Sequence, residues 1–322
     1  MKQTEGDALQ MAVVEDHVDM VGMCTIRVGG TEGNPSWNFS MGDPVEVEIE
    51  GGQLFSGEVI ALEPGFQIEG TASMTIRAMD KSHRLGRGTK TRFWNDMKDS
   101  DVAQEVGGEC GLSVEADDTS EVMPYILQRN ESNMVFLKRL AARNNFQLRV
   151  SEGKLMFTKP SYQGNAAQIT MGENLRAMRM SFNSSEMVQQ VIVRGWNPTD
   201  KAEVVGTASA GDVTSIGGGE VGAQSASVFG ETTAFITDVP VSSQAQANAI
   251  AKAEMERYAR QYCRGSATMR GDPAVLAGTM VEFAGLPSGQ NGNFYVIATR
   301  HIISTRTGYT TEVTFCSNTM GS

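Results

Sequence analysis

Along the first third of the chain, apolar and polar residues alternate in short runs. Met11 to Asp19, Met23 to Val28, Pro44 to Ile49, Phe55 to Leu62 and Ser73 to Met79 are such runs, with Gly, Pro and Asn between them. A period of two with β-branched residues predicts strands, because successive side chains of a strand leave on opposite faces. Glu46-Val47-Glu48-Ile49-Glu50 alternates without a break, so one face is expected to be buried and the other wet. The turn Glu50-Gly51-Gly52-Gln53 then leads into Leu54-Phe55. Strands at this regular spacing predict a small barrel or sandwich.

In the middle third the period changes. Asp101-Val102-Ala103-Gln104 opens a short helix, with Ser100 or Asp101 as N-cap, and Gly107-Gly108 and Gly111 limit its length. A polar step, Gln128 to Ser132, precedes a second helix starting near Ser132. Phe136, Leu137, Leu140 and Ala141 fall on one face of it, while Lys138, Arg139 and Arg143 fall mostly on the other. After Asn144-Asn145, the segments Gln147 to Val150 and Lys154 to Thr158 predict a hairpin about the turn Glu152-Gly153.

The last part starts near Ala167. Met187 to Gly195 predicts a strand, and the Gly/Ala/Ser-rich stretch Ala202 to Phe229 an extended loop. Its Gly217-Gly218-Gly219 is followed by no Lys-Ser/Thr and is not a phosphate-binding loop. Ser243-Gln244-Ala245-Gln246 matches a capping box and opens the longest helix, Ser243 to Cys263. Ala245, Ala249, Ala253, Ala259 and Ile250 form a thin small-residue stripe along it, and Tyr258 and Tyr262 extend the packing or reach a subunit boundary. After Gly271-Asp272-Pro273, Leu276 to Phe283, Asn293 to Ile303 and Tyr309 to Cys316 alternate again, punctuated by Gly278, Gly285 and Gly292. A barrel with a packed helix accounts for that order.

Composition narrows the function classes. The 322 residues are 40% hydrophobic and 20% charged, enough for two or three domains. Lys and Arg total 27 against 38 Asp and Glu, a formal net charge of -11. That balance argues against specific, tight nucleic-acid binding, which draws on Lys and Arg contacts to phosphate. It leaves room for a smooth acidic channel that DNA passes without sticking. No apolar run is long enough to span a bilayer, and the start MKQTEGDALQ lacks a signal-peptide layout, so synthesis in a cytoplasm is expected.

Catalytic chemistry finds little support. Cys24, Cys110, Cys263 and Cys316 are scattered without metal-ligand spacing and are expected to be free thiols. His17, His83 and His301 are the only histidines; His301, in a β-rich stretch, is expected to be a core or interface residue. Asp117-Asp118 predicts a solvated loop, and no HExxH or GxSxG is present. No catalytic, cofactor-binding or metal site is assigned, and no cofactor is implied. Trp37, Trp94 and Trp196 offer stacking platforms to a carbohydrate-binding module, the rival class, but Trp196 is expected to be explained by packing and Trp94 to anchor a domain junction.

Several local patterns, in order, resemble the phage late control protein D and VgrG-like family. Phe55-Ser56-Gly57-Glu58-Val59 is similar to its "FxGxV" strand. Arg77 through Leu85, with Asp80 and His83, is similar to the closing strand of its first barrel. Asp101-Val102 through Cys110-Gly111-Leu112 resembles the helix that follows. Gln128 through Leu140 resembles "Q..xSDxxFLxRLA", with Asn133 where Asp is common. Arg194 through Lys201 resembles "GWDPxxK", followed by Val239-Pro240-Val241-Ser242-Ser243 and the Ala-rich helix. Leu276 to Val281, Asn293 to Val296, His301 and Tyr309 resemble the final strands.

The resemblance implies a β-rich α+β fold: two small β-barrel, tube-protein-like domains joined by a mixed α/β domain, forming a trimeric pseudo-hexameric ring. The implied units are 1–98, 99–165 and 166–322, the last with the loop 202–229 and the packed helix 243–263. It implies the structural hub of a contractile phage-tail baseplate, not an enzyme, linking the hexameric tail tube to the trimeric spike and initiating tube assembly. The alternative is the equivalent protein of a bacterial contractile injection system or type VI secretion apparatus. Implied partners are two further copies, the tube protein, the spike protein, the baseplate wedge proteins and, on contraction, the target-cell envelope; DNA has a path through the lumen. The implied location is the virion tail, assembled in the host bacterial cytoplasm. The needle-bearing region of VgrG proteins is not found in the sequence, so the spike is expected to be a separate protein, the alternative being a longer hub-spike chain of which this is a part.

Overall fold

The computed structural model describes residues 8–29, 37–68, 72–151, 153–164, 166–197, 200–218, 221–222, 230–241 and 243–321. Outside them lie the start of the chain through Asp7, Glu152 of the predicted turn, Pro198 and Thr199 of the tryptophan segment, Gly219, residues 223–229 of the Gly/Ala/Ser-rich stretch, and Ser242.

Five strands form the first third: β1 (Ala8–His17), β2 (Met23–Gly29), β3 (Pro44–Ile49), β4 (Gly52–Gly65) and β5 (Ser73–Met79). Alternation sets their faces: Ala12, Val14, Cys24, Ile26, Val28, Ile76 and Ala78 point into one core. A 3-10 turn, Lys81–Gly86, then leads to β6 (Lys90–Trp94) and β7 (Met97–Lys98).

The middle third holds α1 (Asp99–Glu109), β8 (Ser113–Ala116), β9 (Val122–Met123), β10 (Ile126–Glu131), α2 (Asn133–Arg143), β11 (Gln147–Ser151) and β12 (Lys154–Thr158). The expected hairpin is β11–β12, and β8, absent from the sequence reading, adds to it in parallel. Ser132 caps α2 by accepting from the Val135 amide. Phe136, Leu137 and Leu140 are wholly buried with Leu85, Val102, Val106 and Phe157. Each such side chain contributes roughly 1.5–3 kcal/mol on burial.

The cap expected for α1 is not the one used. Lys98 holds the N-cap position without a side-chain hydrogen bond. Asp99 is instead buried and clamped by Arg143 and by Asn144 Nδ2, which donates at 2.6 Å. Gly107 lies inside the helix because a Cβ there would meet Val114 Cγ2 at 2.3 Å.

The last part contains β13 (Ala167–Thr170), β14 (Leu175–Phe182), β15 (Gln190–Asn197), β16 (Ala202–Ser209), β17 (Thr233–Ile236), α3 (Gln244–Ala259), β18 (Cys263–Arg270), β19 (Met280–Ala284), β20 (Gly292–Ser304) and β21 (Gly308–Ser317). The stretch predicted as a loop from Ala202 therefore begins as a strand: Val204, Gly206 and Ala208 alternate inward against α3. The helix ends at Ala259, and Cys263 begins β18. Ile250, Ala253 and Ala259 of the expected stripe are buried, together with Ala247, Ala251 and Met255; Ala245 and Ala249 are exposed, so the start of the stripe is turned from the one expected. Gly206 sets this rotation, since a Cβ there would come within 2.2 Å of the Ala247 backbone.

The chain is strand-rich with few helices. Closure into two separate barrels is not seen. β1 pairs with β2 on one side and β20 on the other, joining the first and last thirds in one sheet. Its order is β14-β18-β21-β20-β1-β2-β5-β4-β3, with β19 and β13 branching from β20. The second row of β1 backbone groups is satisfied by β20 rather than by a strand closing the first third on itself. Among the described residues, β3, β13 and β14 end the sheet, and Met171, just after β13, bridges to Leu175 at the start of β14.

Candidate assembly surfaces

The residues that carry the sequence resemblance hold the fold. Gln128, wholly buried, accepts from Arg92 Nε at 2.8 Å and donates to Asn133 Oδ1 at 3.0 Å. Asn133 Oδ1 also accepts from Arg92, and its Nδ2 donates to Cys110 Sγ at 3.3 Å. An aspartate here would supply the accepting oxygen but not the second donor. Trp94 is stacked on Phe136 with centroids 5.2 Å apart, inside the middle core.

Asp80 caps the 3-10 turn, accepting from the Ser82 amide at 2.7 Å and from the Gly22 amide. His83 and Arg84 both hold Glu58, which keeps that carboxyl below its ordinary range even though partial burial pushes the other way. Asp117 and Asp118 are exposed, as expected of a solvated loop, with Lys98 paired to Asp118. All four cysteines are free thiols.

Two carboxylates at the end of the first strand tie it to later parts of the chain. Asp16 accepts from the Ala277 amide at 3.2 Å and Asp19 from the Leu148 amide at 2.8 Å, so the end of β1 reaches both later parts. Burial raises the pKa of Asp16, Asp19 and Asp80; Arg149 opposes the shift at Asp16 and accepted amides oppose it at the other two. A cavity of about 280 Å³ is lined by Asp16, Asp80, Arg149 and Leu276.

His301 is wholly buried. Nε2 lies 3.0 Å from the Val275 carbonyl, which can only accept, so Nε2 carries the proton and Nδ1 accepts from the Tyr309 hydroxyl at 2.9 Å. It fastens β20 to the Gly271–Thr279 loop, and burial lowers its pKa from 6.5 to about 4. As pH falls below 6.5 the unfolded chain takes up this proton first. The stability from a neutral His301 is therefore full above 6.5 and is lost between 6.5 and about 4, by about 3 kcal/mol in all. The raised aspartates act with the opposite sign. The measurement is urea unfolding against pH for the native chain and His301→Gln; the difference in slope should lie in that window, and equal slopes would remove the role.

No catalytic arrangement joins these groups, and among the described residues no cluster of three or more His, Cys, Asp or Glu is placed to hold a metal ion. No helix among them is long and apolar enough to cross a membrane.

The exposed features are of another kind. On β3, Glu46 and Glu48 are exposed at one end of the sheet; on β14, Arg176 and Arg179 are exposed at another. At the tip of the β4–β5 hairpin Phe66 and Ile68 are exposed. Trp196, expected to be packed, is 57% exposed. Its neighbour Gly195 is what packs: a Cβ there would meet the Val241 carbonyl at 2.5 Å, and this close approach turns the indole outward. It lines an 840 Å³ groove with Tyr125, Arg194, Val239 and Pro240, beside the Phe93–Tyr125 stack at 5.6 Å.

The family model described as the Alg8 N-terminal domain matches residues 43–305. The chain belongs to that family. No curated protein matches this Alg8 N-terminal domain family member in sequence. Among solved structures, the 43 kDa tail protein of prophage MuSo2 from Shewanella oneidensis aligns over 96% of this chain and 94% of its own, at 15% identity and TM-score 0.74. A tail protein from Neisseria meningitidis MC58 aligns over 97% of both chains, at 13% identity and TM-score 0.72. The E. coli c3393 protein, described as a type VI secretion component with structural similarity to the T4 tail proteins gp27 and gp5, aligns over 98% of this chain and 75% of its own, at 7% identity and TM-score 0.68. The Alg8 N-terminal domain family member thus has the fold of the phage-tail and VgrG-like baseplate proteins that its motifs resemble.

Proposed function

We propose that the chain is the structural hub of a contractile phage-tail baseplate, joining the tail tube to the spike and starting tube assembly. The observation that carries this reading is the match of fold over nearly the whole length of two tail proteins, 94% and 97% of their chains. The units of this reading are 1–98, 99–165 and 166–322, the first and last each presenting a tube-like surface. Three copies would then present six similar surfaces, which reconciles a sixfold tube with a threefold spike. The protein acts by assembly and force transmission, not by catalysis, and belongs in the virion tail, with further contacts to wedge proteins. The type VI component among the similar structures favours, as a second reading, the same role in a bacterial injection system.

These two end strands support contact between copies. Acidic β3 and arginine-bearing β14 are opposite in charge, as a head-to-tail interface that closes into a ring requires. Light scattering of the purified chain, alone and with its tube protein, is the test. The expected result is a trimer that seeds tube growth. Glu46→Lys with Glu48→Lys should shift it to monomer, and adding Arg176→Glu with Arg179→Glu should restore it. A stable monomer indifferent to the tube protein would overturn the reading.

A further inference from the structure

Over the seven strands from β14 to β5 the open face of the long sheet carries more arginine than carboxylate, although the chain as a whole is acidic. Register places its outward residues in rows. Arg270 lies beside Thr310, then Ile302, Val13, Thr25 and Arg77. The next row runs Thr268, Glu312, Arg300, Glu15, Met23. Met11 lies beside Arg27, Thr75 and Glu63 in another, and Ser266 beside Arg179 in a fourth. By the same parity Arg264, two residues before Ser266, shares this face.

From β14 to β5 the face therefore carries Arg27, Arg77, Arg179, Arg264, Arg270 and Arg300 against Glu15 and Glu312, and the acidic residues Glu46, Glu48, Glu58 and Glu63 lie beyond, on β3 and β4. All six arginines are exposed. Arg300 is held by Glu15 and Glu312, and Arg77 by Glu63. Arg27, Arg179, Arg264 and Arg270 have no carboxylate partner among the described residues. A chain with a net charge of -11 thus concentrates unpaired guanidinium groups on one surface.

Between them the wall is Thr and Ser with Met11, Val13, Met23 and Ile302, and it has a hollow of about 510 Å³ lined by Glu15, Thr268, Arg300, Glu312 and Thr314. Seven strands at the usual spacing make the face about 30 Å wide. Spread, unpaired cations on a smooth wall suit an extended polyanion better than a small anion, which needs convergent donors.

We infer that this face contacts the phosphate backbone of double-stranded DNA, weakly and without reading sequence. The inference rests on the hub reading only for the source of the DNA, a genome passing along the sheet. It replaces the acidic, non-adhering channel expected from net charge with a basic wall that engages phosphates briefly.

The probe is a fluorescently labelled DNA duplex, titrated with the full chain and read by anisotropy. Arg179 stands at the edge assigned to the contact between copies, so with about three phosphate contacts affinity should fall roughly 40-fold between about 50 and 200 mM salt. The variant Arg27→Gln/Arg264→Gln/Arg270→Gln should lower the log–log salt slope by nearly one unit per arginine removed. Lys154→Gln, on the middle unit, should leave it unchanged. Circular dichroism melting establishes that the triple variant is folded; if it is not, the single variants, each expected to lower the slope by about 0.9, replace it.

No binding at low salt, an unaltered slope in the folded variants, or tighter binding of polyglutamate than of duplex would each overturn the inference. A trimer that seeds tubes yet ignores DNA would sink this inference and leave the hub reading standing. A monomer that binds DNA in the expected way would do the reverse.

Discussion

Leu137→Asp is expected to unfold the middle unit. Leu137 is wholly buried in the core that holds Val102, Val106, Phe136 and Leu140. Moving a carboxylate into that site costs several kcal/mol even after it takes up a proton, and the lost leucine contributes roughly 1.5–3 kcal/mol more. A typical domain has only about 5–15 kcal/mol in reserve. Leu140→Asp should behave alike. Leu137→Ala, which removes packing without adding charge, should cost about 2–5 kcal/mol. Urea unfolding followed by tryptophan fluorescence reads all three, because Trp94 is stacked on Phe136 in the same core. Native stability in either aspartate variant would mean that the apolar face of α2 is not where the core lies.

Gly206→Val should loosen α3 from its sheet. The new Cβ would lie 2.2 Å from the Ala247 carbonyl carbon, and backbone cannot rotate away as a side-chain tip can. Overpacking of this kind costs about 1–3 kcal/mol, and more where backbone must shift. The effect should be local. Hydrogen exchange should accelerate across β15, β16 and α3, whose side chains share one core, while α1 and α2 keep their protection. Unchanged protection of α3 would show that the helix does not sit on Gly206 as described.

The sequence resemblance and the structure divide in an instructive way. The run from Gln128 to Leu140 was legible because its roles are local: a cap at Ser132, an apolar face at Phe136, Leu137 and Leu140, and a buried glutamine three residues from its carbonyl partner Glu131. The strands of the first third were legible for the same reason, since alternation is a property of neighbouring residues. The groups at the long-range contacts were not. Asp99 has the composition of a helix cap, and only Arg143, far along the chain, makes it a buried ion-pair partner. Trp196 has the composition of a core residue, yet the close approach of Val241 to Gly195 turns it to solvent.

By itself the sequence determined the strands of the first third, the helices α1 to α3, the buried face of α2, the caps of α2 and α3, and the family resemblance. These follow from steric and hydrogen-bonding preferences that act within a few residues. Only the tertiary structure decided that β1 pairs with β20, that the sheet runs from β14 to β3, and which charges share its wet face. Pairing across nearly three hundred residues depends on which distant edge satisfies a strand's remaining backbone groups, and no local period encodes that choice. The net charge of -11 carried the same blind spot: it sums over all surfaces, whereas register decides which surface each arginine occupies.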